Sequence, residues 1–282
     1  KIMGVFRTVY AKLSQWIVRN GKAYVAMHRK TVLSKDISKL KIKKYRMPKG
    51  SFNASTTTST LKINIDKIDV ENPTKHAGSP EEYGKSILKN FLHDKDRGEY
   101  TKWLMDQAYE AEAEIDGSKI QGRLQTILDN VSAGNKPIKE LKKTEKDLIK
   151  KIKDAKSALD KLEKKINGND TKTSSDEAKL SGIPYVRAEV SALQTAVNTI
   201  TSATIKVCRF GIRQDRSVIA QIVAYSPNAS KNEGANLYML EAAEDAEDEF
   251  DEEMDSPEEV EVAEDMPEFE DIETSDDSDD DE

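Results

Sequence analysis

The chain has 282 residues, 37% hydrophobic and 34% charged, with a formal net charge of −8 at pH 7. That composition supplies apolar material for one helical domain and an attached segment rather than a large core. It contains no run of about 18 apolar residues that would span a membrane, and its single cysteine, Cys208, excludes a disulfide framework and a thiolate metal site and fits a reducing compartment.

Residues 1–50 read as a basic amphipathic helical segment, with 14 Lys or Arg against one acid, Asp36. Over residues 2–19, Phe6, Val9, Tyr10, Leu13, Trp16 and Ile17 fall within about a third of the helical wheel, and Arg7, Lys12 and Arg19 lie opposite. Asn20-Gly21 ends or bends this helix, after which Tyr24 and Met27 resume the pattern. The cations Arg7, Lys12, Arg19, Lys22, Arg29, Lys30, Lys41, Lys43, Lys44 and Arg46 are candidates for holding a polyanion. The same helix could instead dock on a partner, pack on its own domain, or lie on an anionic membrane. Packing or docking is the plainest of these readings, and no lipidation motif supports the membrane.

Residues 51–78 read as a polar linker carrying a short β-strand. Ser51 to Thr60 is low in complexity, and from Leu61 to Val70 apolar and polar residues alternate as in an edge strand over 61–70. Its partner is not evident.

Residues 79–228 read as a helical bundle. Ser79-Pro80-Glu81-Glu82 combines a hydroxyl N-cap, proline at the first helical position and acids in the first turn. Tyr83, Ile87, Leu88, Phe91 and Leu92 form that helix's apolar face. His93 to Gly98 is a turn, because a calcium loop would need other residues at its fifth and twelfth positions. A second helix runs from Tyr100 to Val131, interrupted near Gly117-Ser118. From Pro137 to Ile166 the residues Ile138, Leu141, Glu145, Leu148, Ile152, Ala155, Leu159, Leu162 and Ile166 keep a three-four spacing, which is a heptad seam. After a linker over 167–178, a helix starting at Pro184 repeats it with Val186, Val190, Leu193, Val197, Ile200, Thr204 and Val207. The two make an antiparallel hairpin, 137–166 with 184–210, that breaks near Gly211.

The net charge hides two opposed halves. Residues 241–282 hold 25 of the 52 acids and no base, which leaves residues 1–240 with 44 basic and 27 acidic residues, about +17. Residues 229–282 are therefore expected to be a disordered acidic tail. Phe250, Met254, Val260, Val262, Met266, Phe269 and Ile272 recur among the acids, as in segments that dock on a basic partner. The fold class expected is mainly α: an elongated helical bundle with an antiparallel coiled-coil hairpin, one short β-strand and a disordered acidic C-terminal tail.

No residue pattern specifies catalysis. His28, His76 and His93 are scattered surface positions without metal-ligand spacing, Cys208 reads as a small buried side chain, and the 13 glycines form no phosphate cradle. The expectation is a protein that is not an enzyme, with no catalytic residue, metal or cofactor. Lysines crowd the outer faces of 136–165, diluted by acids from Glu140 to Glu163, and extend the basic surface. Its counterpart is nucleic acid or the chain's own acidic segment.

A lysine-rich helical body with few cysteines, closed by an Asp/Glu tail ending Asp279-Asp280-Asp281-Glu282, resembles the internal head and prohead core (scaffold) proteins of large T4-like tailed phages. The resemblance lies in composition over the whole chain. It implies a non-enzymatic structural protein of the capsid interior, assembled with itself or with other capsid and core proteins, in contact with the shell or packaged DNA. Its expected place is the virion interior or the host cytoplasm. It also implies proteolytic trimming after Glu in an aliphatic-x-Glu context, which points to Glu241 in Met239-Leu240-Glu241 and Glu264 in Val262-Ala263-Glu264. Ile138-Lys139-Glu140 fits that context better but lies inside the seam helix. A cellular nucleic-acid or histone chaperone with a DNA-mimicking acidic tail is the alternative.

Overall fold

The computed structural model describes residues 21–225. The helix expected over 2–19, with Arg7, Lys12 and Arg19, lies outside them, as do the acidic segment, Glu241 and Glu264. Eight helices are described: α1 Gly21–Ser34, α2 Ala54–Asp66, α3 Pro80–Phe91, α4 Arg97–Ala108, α5 Gly117–Gln121, α6 Leu124–Ala133, α7 Lys136–Asn167 and α8 Ser174–Ala224. Two short strands, β1 Lys41–Tyr45 and β2 Ala113–Asp116, pair antiparallel.

The hairpin is the frame. At about 1.5 Å per residue, the 32-residue α7 is about 48 Å long and the 51-residue α8 about 76 Å. Their antiparallel register is visible in the cross-links: Arg187 of α8 pairs with Asp160 at 2.7 Å and Glu163 at 2.6 Å, and Lys156 donates to Gln194 at 2.7 Å. The seam residues Ile138, Leu141, Leu148, Ile152, Leu159 and Ile166 are buried, and Leu162 is half-buried. On the facing helix Val190, Leu193, Val197 and Ile200 are buried as well. Glu145 occupies a seam position half-buried, and its burial raises its pKa.

Both ends of the second hairpin helix depart from expectation. It begins at Ser174, ten residues before Pro184, because Thr173 and Asp176 form a capping box inside the polar run read as linker. Pro184 lies within α8, where it removes one donor without ending the helix. Nor does α8 break at Gly211. A Cβ at that position would lie 2.3 Å from the Tyr109 hydroxyl, so the glycine admits a close neighbour instead of stopping the helix.

Residues 61–70 form no strand, and within 51–78 the stretch Ala54–Asp66 is helix α2, followed by irregular chain over 67–78. Asn53 caps α2 by accepting from the Ser55 N–H, and Thr58, Leu61 and Ile65 are buried along one helical face. Ile63, one member of the apparent alternation, is 53% exposed. Packing against α7 and α8 overrides the poor helix propensity of the threonines. The strand pairing lies elsewhere, between β1 and β2. The helix expected from Tyr100 to Val131 is accordingly divided into α4, β2, α5 and α6.

Lys41 pairs with Asp116 and Ile42 with Ile115, but Tyr45 rather than Lys44 faces Ala113. The extra residue is a bulge with Lys44 at φ 53°, and it turns Tyr45 into the core while Lys44 stays exposed. One apolar cluster gathers α2, α4, α7 and residues 183–207 of α8; another gathers α1, β1, β2, α5 and α6 around Val218, Ile219 and Ile222 of α8. A small third cluster, Ile138, Leu141, Ile205 and Ile212, lies where the hairpin helices meet near the start of α7.

Candidate polyanion-binding surface

The structure divides the candidate cations by the work they already do. Arg29 pairs with Asp129 of α6 at 3.3 Å, and Lys41 with Glu114 of β2 at 3.0 Å. Arg46 donates through Nε to the Glu110 carbonyl at 2.7 Å and through Nη2 to Asp106 at 2.9 Å, while its backbone exchanges two hydrogen bonds with the Gln214 side chain. These three hold elements together. Lys22, Lys30, Lys43 and Lys44 are exposed.

Lys35, which was not among the candidates, has a structural task. Its ammonium donates to the carbonyls of Ile222, Val223 and Tyr225 at 2.9, 2.7 and 2.8 Å, closing the C-terminus of α8 where the helix dipole is negative.

Two hollows gather cations, and of the four exposed candidates Lys22 lines one of them. In one, of about 620 Å³, Lys22 meets Lys136 and Lys139 beside Asp129. The other, of about 780 Å³, is a groove between α4 and α8. Arg97 and Lys102 of α4 and Lys206 of α8 line it, with Thr101, Asn198 and Ser202 between them. Asp106 is the one acid in its lining, and Arg46 ties it down at 2.9 Å. Among the described residues, none of Arg97, Lys102 and Lys206 makes an ion pair within 4.0 Å. These three were missed in the sequence because nothing in the α4 pattern shows that α8 brings Lys206 opposite. An anionic chain with several charges is the ligand such a groove suits.

Beside the groove's Arg46 end lies a buried polar cluster. Asp215 of α8 is 6% exposed and accepts from Asn130 at 2.9 Å. Burial pushes its pKa up to about 6, against the opposing pull of that hydrogen bond and the Arg123 charge. Burial, and then the Asp215 charge, pushes the Tyr45 hydroxyl up to about 12, and the same two causes raise Tyr109. The Tyr45 hydroxyl has no hydrogen-bond partner among the described residues. Cys208, half-buried, has its thiol pushed up to about 11 by burial, which leaves little thiolate near neutrality. The cluster ties β1, the end of α4 and α6 to α8.

His76, expected on the surface, is half-buried and stacked on Tyr83 with centroids 4.1 Å apart; Tyr185, whose hydroxyl donates to the Gly78 carbonyl at 2.7 Å, flanks them. His93 is exposed and lies against Trp103. No three His, Cys, Asp or Glu side chains converge as a metal site needs among the described residues. No helix among them is long and apolar enough to cross a membrane. Comparison with protein-family models, with curated proteins and with solved structures found no match.

Proposed function

We propose that this protein is a non-enzymatic structural and assembly component of a phage capsid interior, an internal head or prohead core protein whose basic helical body meets the shell or the packaged DNA. The observation that carries this reading is the division of charge along the chain. Residues 21–225 hold 39 Lys and Arg against 26 Asp and Glu, and residues 241–282 hold 25 acids with no base. A surplus of this kind on a rigid hairpin attracts polyanions without reading their sequence, so binding should weaken steeply with salt. The acidic segment then acts as a counter-charge that trimming at Glu241 or Glu264 would release.

The test is mass spectrometry of particles purified from the native source, joined to DNA titration of the full chain. The protein should occur inside particles alongside shell proteins, and removing residues 241–282 should raise its affinity for duplex DNA. A chaperone reading is favoured by the apolar residues spaced through the acids, such as Phe250, Met254 and Phe269. Under that reading the same deletion abolishes binding to basic clients and leaves DNA affinity unchanged.

A further inference from the structure

We propose that the groove between α4 and α8 is the docking site of the protein's own acidic segment, residues 241–282. The proposal rests on the reading of the body as an anion-binding surface and not on its place in a capsid.

The groove's chemistry matches that occupant. Arg97, Lys102 and Lys206 make no ion pair within 4.0 Å among the described residues and the one lining acid, Asp106, is held by Arg46; Thr101, Asn198 and Ser202 offer hydrogen bonds to a peptide backbone, and the half-buried Met105 gives an apolar strip. A peptide of acids with intermittent Phe, Met and Val side chains, as in 250–272, satisfies all three requirements. The outward face of α7 does not compete on equal terms. Its Lys143 and Lys150 stand beside Glu140, Asp147 and Asp154, none of which is held in an ion pair among the described residues, whereas of the acids at the same spacing from Lys102, Glu99 caps α4 and Asp106 is tied to Arg46.

Geometry permits the return. From Ala224 back to Lys206 is 18 residues of α8, about 27 Å. The 17 residues from Tyr225 to Glu241 can extend over about 50 Å, so the first acids reach the groove with slack. Tethering at that distance supplies an effective concentration on the order of millimolar, enough for individually weak ion pairs to act together.

The experiment couples lysine amines directly to carboxylates in the full-length protein with a zero-length carbodiimide and maps the linked peptides. Links within one molecule should join Lys102 and Lys206 to acids of 241–282, and should vanish at 1 M salt, where the screening length falls to about 3 Å. In full-length Lys102→Gln/Lys206→Gln, a glutamyl-specific protease should cut the acidic segment about fivefold faster, as expected for losing two exposed ion pairs. Lys143→Gln/Lys150→Gln should leave that rate unchanged. Links spread over Lys143 and Lys150, links only between molecules, no links, or equal acceleration in both variants would overturn the docking. A protein that gives these links but never accompanies shell or DNA sinks the capsid reading alone. One that accompanies them and gives no links sinks the docking alone.

Discussion

Asp215 carries an energetic load that its hydrogen bond does not remove. Its pKa of about 6 in the folded protein lies above the ordinary value of 3.8, with burial as the main cause. Between those two values the folded protein holds a proton that the unfolded chain releases. The stability linked to this carboxyl is therefore complete below about pH 4 and is lost as the pH rises through about 6. Near neutrality the ionised group costs on the order of 2–3 kcal/mol. Asp215→Asn keeps an oxygen for the Asn130 donor and removes the charge. It should raise the melting temperature at pH 7.5 and have little effect at pH 4. An equal gain at both values would show that the charge is not the cause. Thr201 presents a smaller instance, since its buried hydroxyl finds no partner among the described residues. Thr201→Val should be neutral or stabilising by about 1 kcal/mol in a urea titration.

Among the elements, α8 depends on one close approach. Gly182 passes the buried Pro73, and a Cβ there would lie 2.3 Å from the Pro73 carbonyl oxygen and 2.5 Å from its carbon. Alanine is the better helix former by about 1 kcal/mol, yet Gly182→Ala should destabilise by about 1–3 kcal/mol because backbone rather than a side-chain tip must move. Gly122→Ala, with nothing within 4 Å, should not destabilise in the same thermal melt. The hairpin was legible in the sequence because its seam repeats every seven residues over 30 residues, long enough for period to outweigh composition. The capping box at Thr173 was not, since polar residues flank it and Asp176 stands where Glu or Gln is usual. The same limit hid α2. Leu61, Ile63 and Ile65 satisfy a strand period, and only the contact with α7 and α8 makes 58, 61 and 65 the buried set. Of the candidate surface, the excess of cations could be read, but their sorting into Arg29, Lys41 and Arg46 as ties and Arg97, Lys102 and Lys206 as a groove depends on pairings distant in sequence.

At the scale of the molecule, one helix belongs to both principal cores. Val190 to Ile200 fill one cluster and Val218 to Ile222 the other, with no interruption of α8 between them. The two cores should therefore melt together. Ile219→Ala, a fully buried side chain in the second cluster, should cost about 2–5 kcal/mol. It should lower the midpoint reported by Trp103, which packs on the first cluster, as far as the midpoint reported by helical circular dichroism. Separate midpoints would mean that the cores unfold independently.

The Lys35 tie at the end of α8 has a mechanical consequence. Ala224 ends a helix about 76 Å long that is gripped along its flanks by both cores, 17 positions before Glu241. A load directed along the helix axis at that end enters the body through α8. It meets the side contacts in shear, where they resist together, instead of peeling them one after another. Lys35, the residue after α1, adds three hydrogen bonds at the point where unwinding would have to begin. An axial pull on the C-terminus of α8 therefore loads both cores and not one turn of the helix.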